Sequence, residues 1–102
     1  MSAKLAGMAW DRRGVSAEEK VVLLALADMA NDDGRFLTDG WQEVAVDCGL
    51  PAETVGRILD RFAAAGLVAL EAASGGGTLG AFDLAGLESL PLTGAAERRA
   101  AP

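Results

Sequence analysis

The chain has 102 residues, half of them hydrophobic and a quarter charged, with a formal net charge of −6; that is enough for one domain around a modest core. It has no histidine and a single cysteine, Cys48, which excludes an internal disulfide, mixed Cys/His zinc sites, and Ser-His-Asp or Cys-His catalysis. Residues 21–27 are the longest apolar run, too short to cross a membrane, and the first residues lack a signal-peptide core, so a cytoplasmic setting with no membrane partner is expected.

Residues 1–15 read as an N-terminal arm carrying Lys4, Arg12 and Arg13, with Trp10 as the anchor that packs it onto the domain or, alternatively, as a side chain that stacks on a base or partner. The first strong helix starts at Ser16. Ser16-Ala17-Glu18-Glu19 has the spacing of a capping box, in which the serine hydroxyl and the glutamate three residues later satisfy each other's backbone amides. Val22, Leu23, Leu26 and Ala30 follow at helical spacing. Asn31-Asp32-Asp33-Gly34 stops the helix, and Arg35-Phe36-Leu37 is a short extended piece. Thr38 or Asp39 then caps a short helix over residues 40–48, Asp39 and Gln42 having capping-box spacing. Trp41, Val44, Ala45 and Cys48 share one face of it, which makes Cys48 a small core residue, and Gly49 ends it. A third helix begins near Pro51, a residue tolerated in a first turn. It carries the stripe Val55, Ile58, Leu59 and Phe62 as far as Gly66.

The period then changes. Residues 67–70 and 79–82 read as two strands, with Ser74, three glycines and Thr78 as a flexible hairpin tip. Leu84, Leu87, Leu90 and Leu92 suggest a last segment packed back on the core. Residues 93–102, with Arg98 and Arg99, read as a frayed tail. The organisation expected is therefore an arm (1–15), a domain (16–92) and a tail (93–102). The fold class is α+β, mainly helical: three helices plus a β-hairpin.

Residues 44–68 carry the functional signal. Two helices meet at a tight turn holding Gly49 and Leu50. Ala45 is small where the helices cross, and Leu50, Val55 and Ile58 pin the second helix to the first, as a helix-turn-helix requires. With Thr54, Arg57, Leu59 and the Gly66-Leu67-Val68 that follows, this stretch resembles the winged helix-turn-helix domains of bacterial and phage proteins. The upstream Glu19-Lys20 run to Ala27 and Asp32-Asp33-Gly34 resemble the first helix and loop of the subset found in phage and plasmid replication proteins and small regulators. The resemblance covers about residues 10–83 and implies that the helix from Pro51 to Ala65 enters the major groove of double-stranded DNA. It implies that Ala52, Glu53, Thr54, Gly56 and Arg57 face bases and phosphates. Arg61 would follow the backbone, Arg12 and Arg13 would reach it from the arm, and the tip between Ser74 and Thr78 would touch the minor groove.

The chain departs from that pattern. Pro51 stands where the family usually has a serine that caps the helix and reaches a phosphate. Gly56 offers no side chain, and no Lys or Arg lies between Arg61 and Arg98. Glu53 precedes Arg57 by one helical turn, a spacing that favours an ion pair. Lys4, Arg12, Arg13, Arg57 and Arg61 would supply about five phosphate contacts and a salt slope of about −4. A homodimer would double these contacts.

Two readings follow. One is a sequence-specific DNA-binding module of a phage- or plasmid-type regulator or replication protein. The other is an acidic protein-binding winged helix that docks on a basic protein surface, as an inhibitor or DNA mimic, with Asp39, Glu43, Asp47 and Asp60 as its face. Small phage-encoded inhibitors, anti-CRISPR proteins among them, often have this size and charge. A third possibility is an oligomerisation unit built on the C-terminal leucines. No enzyme, metal site or cofactor is expected: the phosphate-loop and dinucleotide fingerprints are absent, and the many carboxylates read as caps and solvated helix faces.

Overall fold

The capping box at Ser16 forms as its spacing requires. The Ser16 hydroxyl accepts from the Glu19 amide at 3.1 Å, and Glu19 Oε1 accepts from the Ser16 amide at 2.7 Å. In the computed structural model, which describes residues 2–83, the elements in chain order are α1 (Ala3–Asp11), α2 (Ala17–Met29), β1 (Arg35–Thr38), α3 (Trp41–Cys48), α4 (Ala52–Ala64), β2 (Val68–Ala72) and β3 (Thr78–Phe82). The coarse class is α+β and mainly helical, with four helices among the described residues instead of three. None of these helices is long and apolar enough to cross a membrane.

The fourth helix corrects the reading of the N-terminus. Residues expected to form an arm make α1, and it is built into the core. Ser2 caps it, accepting from the Leu5 amide at 3.1 Å while its hydroxyl donates to Asp32 Oδ1 at 2.7 Å. Leu5 and Ala9, one turn apart, are wholly buried. Trp10 is not the anchor: it is 67% exposed. At the other end, Lys20 of α2 donates its ammonium to the carbonyls of Ala9, Trp10 and Arg12. α1 has no basic residue in its own last turn, so Lys20 supplies the positive charge that the helix's negative end favours.

α2 is the centre of the domain. It packs against α1, α3, α4 and β1, which explains why its apolar residues extend beyond one stripe. Val22, Leu23, Leu26 and Ala27 are fully buried, and Leu24 and Ala25 pack against the same core. α4 contributes Val55, Ile58, Leu59 and Phe62 to it. Burial of a Leu, Ile or Phe side chain stabilises by about 1.5–3 kcal/mol each, so this contiguous cluster dominates the fold.

The strands form one antiparallel sheet in the order β1-β3-β2. Each strand runs slightly longer than its sequence pattern suggested. Phe36 of β1 lies opposite Gly80 of β3, and its ring covers the space a side chain would need: a Cβ at Gly80 would meet the Phe36 ring at 2.2 Å. Phe36 and Phe82 stack at a tilt, ring centroids 5.7 Å apart. Leu37 and Leu79 also face each other across the strands, but on the exposed side. Leu84, Leu87, Leu90, Leu92 and the expected tail lie outside the described residues.

Candidate nucleic-acid interface

α3 and α4 are joined by Gly49, Leu50 and Pro51 alone. Gly49 takes a left-handed backbone, φ 70°, a conformation that costs glycine nothing and other residues more. The Leu50 amide then closes onto the Ala45 carbonyl at 3.0 Å, and Val44 and Ala45 are buried where α3 meets the core. A three-residue turn with a glycine is the connection a helix-turn-helix uses. The cap differs from the expectation. Asp39 and Gln42 make no capping box; Gly40 occupies the N-cap without a side-chain hydrogen bond. Thr38 Oγ1 instead turns back, donating to the Gly40 carbonyl and accepting from the Gly40 amide. Thr38 is buried as an inward residue of β1, so its hydroxyl is held too far back to cap the helix.

α4 buries its apolar stripe and turns Ala52, Glu53, Arg57, Asp60 and Arg61 outward, with Thr54 and Gly56 half-buried. Pro51 precedes it without a side-chain cap. The expected Glu53–Arg57 ion pair is not made; Arg57 Nη2 donates to Thr54 Oγ1 at 3.4 Å. Arg57 is thus oriented toward the first turn of α4, not neutralised by it.

Arg61 has a different role from the one expected. Its guanidinium pairs with Glu19 Oε2 at 2.8 Å, with the Arg61 side chain 48% exposed and that of Glu19 2% exposed. The pair ties α4 to the capping box of α2 and draws Arg61 into the scaffold. Arg12 is a second correction. It is only 7% exposed, and burial lowers its pKa from the usual value, so it is not an open phosphate contact. Arg13 is exposed. Arg12 and Arg13 line one cleft with Trp10, Asp11, Val15 and Lys20, which neither Arg57 nor Arg61 lines.

The hairpin between β2 and β3 closes through Ala73 and Gly77, with the Ala73 amide donating to the Gly77 carbonyl at 3.1 Å. Ser74 is exposed at its tip and Thr78 half-buried at its base. Neither carries charge.

Of the acidic candidates, Glu43 and Asp47 come together. One helical turn apart on α3, they line a shallow groove of about 400 Å³ with Gln42 and Val46. Val46 is 79% exposed. It lies off the Trp41, Val44, Ala45 and Cys48 face, the only sequence signal that it would point outward. Asp39 and Asp60 are exposed but do not line this groove. Cys48 is half-buried, its thiol directed at the Val21 carbonyl at 3.9 Å. Desolvation, and to a lesser degree Asp47, push its pKa above the ordinary thiol value.

Lys20 and Glu19 are structural charges that the pattern of the sequence underweighted. Glu19 was legible as a cap but not as the partner of a residue 42 positions away. No family model, no curated protein and no solved structure matches this chain.

Proposed function

We propose that the chain is a winged helix-turn-helix module that binds double-stranded DNA through α4. The observation that carries the reading is the α3–α4 unit: a three-residue glycine turn that leaves the first turns of α4 outward, with Arg57 exposed and bonded to Thr54. The order α2-β1-α3-α4-β2-β3, with β1 added beyond β3, agrees with a helix-turn-helix followed by a hairpin wing. Arg57 and Thr54 are the side chains proposed to read the major groove. Glu53 would confront the same surface and select against contacts close to a phosphate.

The electrostatic footprint is small. With Arg12 buried and Arg61 paired to Glu19, Lys4, Arg13 and Arg57 remain of the five cations counted from the sequence. Three phosphate contacts give a salt slope of about −3. A monomer of net charge −6 therefore binds weakly, and a homodimer on a two-fold site would be the stronger state. The deciding experiment is fluorescence anisotropy with random-sequence duplex DNA at low and moderate salt. Micromolar binding that weakens with a slope of about −3 supports the reading. Arg57→Ala should cost about 1–3 kcal/mol on a specific site. No binding at low salt by the folded protein refutes it.

A second reading is favoured by Val46. An exposed apolar side chain between Glu43 and Asp47 suits docking on a basic protein surface. Glu43→Lys would then abolish partner capture while leaving DNA anisotropy unchanged or improved.

A further inference from the structure

The sheet packs one face into the core and turns the other outward. Side chains alternate along a strand, so Phe36, Val68 and Phe82 go to the core. The outer face carries two cross-strand rows, Arg35–Ala81–Ala69 and Leu37–Leu79–Glu71. Leu37 is 57% exposed and Leu79 41%. A single exposed apolar side chain is ordinary. These two stand opposite each other, and Ala81 and Ala69 continue the patch; contiguous apolar surface marks an interaction site.

The patch is the floor of a groove of about 1290 Å³. Small-molecule pockets span about 300–1,000 Å³, so this groove has the size for a segment of chain. Asp32 and Asp33 line it beyond β1, and Glu71 lines it on β2. The loop that carries the two aspartates is held in place. Asn31 Oδ1 accepts from the amides of Asp33 and Arg35 at 3.0 and 3.1 Å. The Asn31 amide donates to the Arg35 carbonyl at 3.0 Å, and Ser2 donates to Asp32. A wall already ordered costs little to bind against. Asp32, Asp33, Arg35 and Glu71 are all exposed, and none of them makes an ion pair among the described residues. Three carboxylates and one guanidinium give the lining a formal −2.

We propose that this groove docks a basic amphipathic helix of a partner protein. The helix lays its apolar stripe on Leu37 and Leu79 and turns lysines or arginines to Asp32, Asp33 and Glu71. Chemistry selects this occupant. A sheet face is covered by a helix or another sheet, whereas an extended peptide adds at a strand edge. A second copy of the chain would bring the same acidic lining and its own net charge of −6 to the contact. Nucleic acid would meet the carboxylates with its phosphates. A basic helix gains from both the apolar floor and the acidic walls. No residue of α3 or α4 lines the groove, so the proposal does not rest on α4 reading DNA.

The test is fluorescence anisotropy of the full chain with a labelled model helix of about 18 residues, its leucines at helical spacing among lysines and alanines. The same helix with glutamates for lysines is the control. Saturable binding of the basic helix is expected at about 10–100 µM in about 150 mM salt, with none of the acidic one. Leu37→Ser should weaken it about tenfold, and Glu71→Lys about fivefold. Both side chains are exposed, so neither substitution disturbs the core. Glu18→Lys makes the same charge change outside the lining and should leave the affinity within about twofold. Equal losses in Glu18→Lys and Glu71→Lys would show general attraction to an acidic protein and overturn the proposal, as would full affinity in Leu37→Ser or no saturation by about 1 mM. Binding that appears only with Arg98→Glu and Arg99→Glu would give the groove to the chain's own last residues. Self-association of the free chain, abolished by Leu37→Ser, would give it to a second copy. Either result also overturns it.

Discussion

Replacing Arg61 with methionine removes the charge that faces Glu19 and keeps most of the apolar stem. It leaves a carboxylate whose side chain is 2% exposed with the Ser16 amide, at 2.7 Å, as its remaining partner in the capping box. Breaking a wholly buried pair from one side costs about 3–5 kcal/mol. Here the Arg61 side chain is 48% exposed, so water can take its place, and about 1–2 kcal/mol is the appropriate scale for a partly solvated pair. Glu19→Gln keeps an oxygen for the Ser16 amide and loses the ion pair, at a cost of about 1 kcal/mol. With both substitutions present, no buried charge is stranded, so the double variant should be more stable than the sum of the singles by about 1 kcal/mol. Urea unfolding of the four proteins measures this directly. With a slope of about 1–1.5 kcal/mol/M, a loss of 1.5 kcal/mol moves the midpoint down by about 1 M. Additive single effects, with a coupling below about 0.3 kcal/mol, would show that the pair with Glu19 contributes nothing.

Other substitutions probe the rest of the argument. Gly80→Ala would drive a methyl into the Phe36 ring, 2.2 Å away at its nearest atom, and should cost about 1–3 kcal/mol by overpacking; an unchanged urea midpoint would mean that the ring is not seated there. Arg12→Met removes a buried cation whose Nε and Nη2 lack partners, and should raise stability by about 1 kcal/mol, whereas a lowered midpoint would reveal a structural partner for Arg12. Lys20→Met deprives the α1 carbonyls of their donor and should speed amide exchange in α1 ahead of the rest of the domain; uniform exchange would refute the tether. Cys48, its pKa raised by burial and then by Asp47, holds less thiolate than a free thiol at pH 8. Its alkylation should therefore be slower than that of a free cysteine peptide, and faster in Asp47→Asn; a rate equal to the peptide's would contradict the burial.

Local chemistry was readable where a single stretch of chain contains both partners of an interaction. Ser16 and Glu19 announce α2 because the capping box closes within one turn. Gly49 announces the α3–α4 turn because few other residues accept its backbone angle. The stripe Val55, Ile58, Leu59 and Phe62 gives the buried face of α4, and the change of pattern after Gly66 to two short apolar runs around a glycine-rich tip marks β2 and β3. The outward position of Ala52, Glu53 and Arg57 follows from that same stripe, so this part of the candidate interface was legible as well.

Wherever the partner lies far along the chain, sequence pattern was a poor guide. α1 looked like an arm because Leu5 and Ala9 are too few to declare a helix by period; what makes it one is the surface of α2, the Ser2–Asp32 bond and the ammonium of Lys20. The largest apolar side chain of that stretch, Trp10, was the natural anchor by hydrophobicity, yet the small Ala9 fits the helix crossing and the indole stays outside. The arginines show the same division. Their number and spacing follow from the sequence alone, and so does the acidic total that opposes them. Which of them is free to meet a phosphate was decided in three dimensions, where Glu19 claims Arg61 and the α1–α2 junction buries Arg12. A charge acts through distance and solvent exposure, and only the packed chain sets either one.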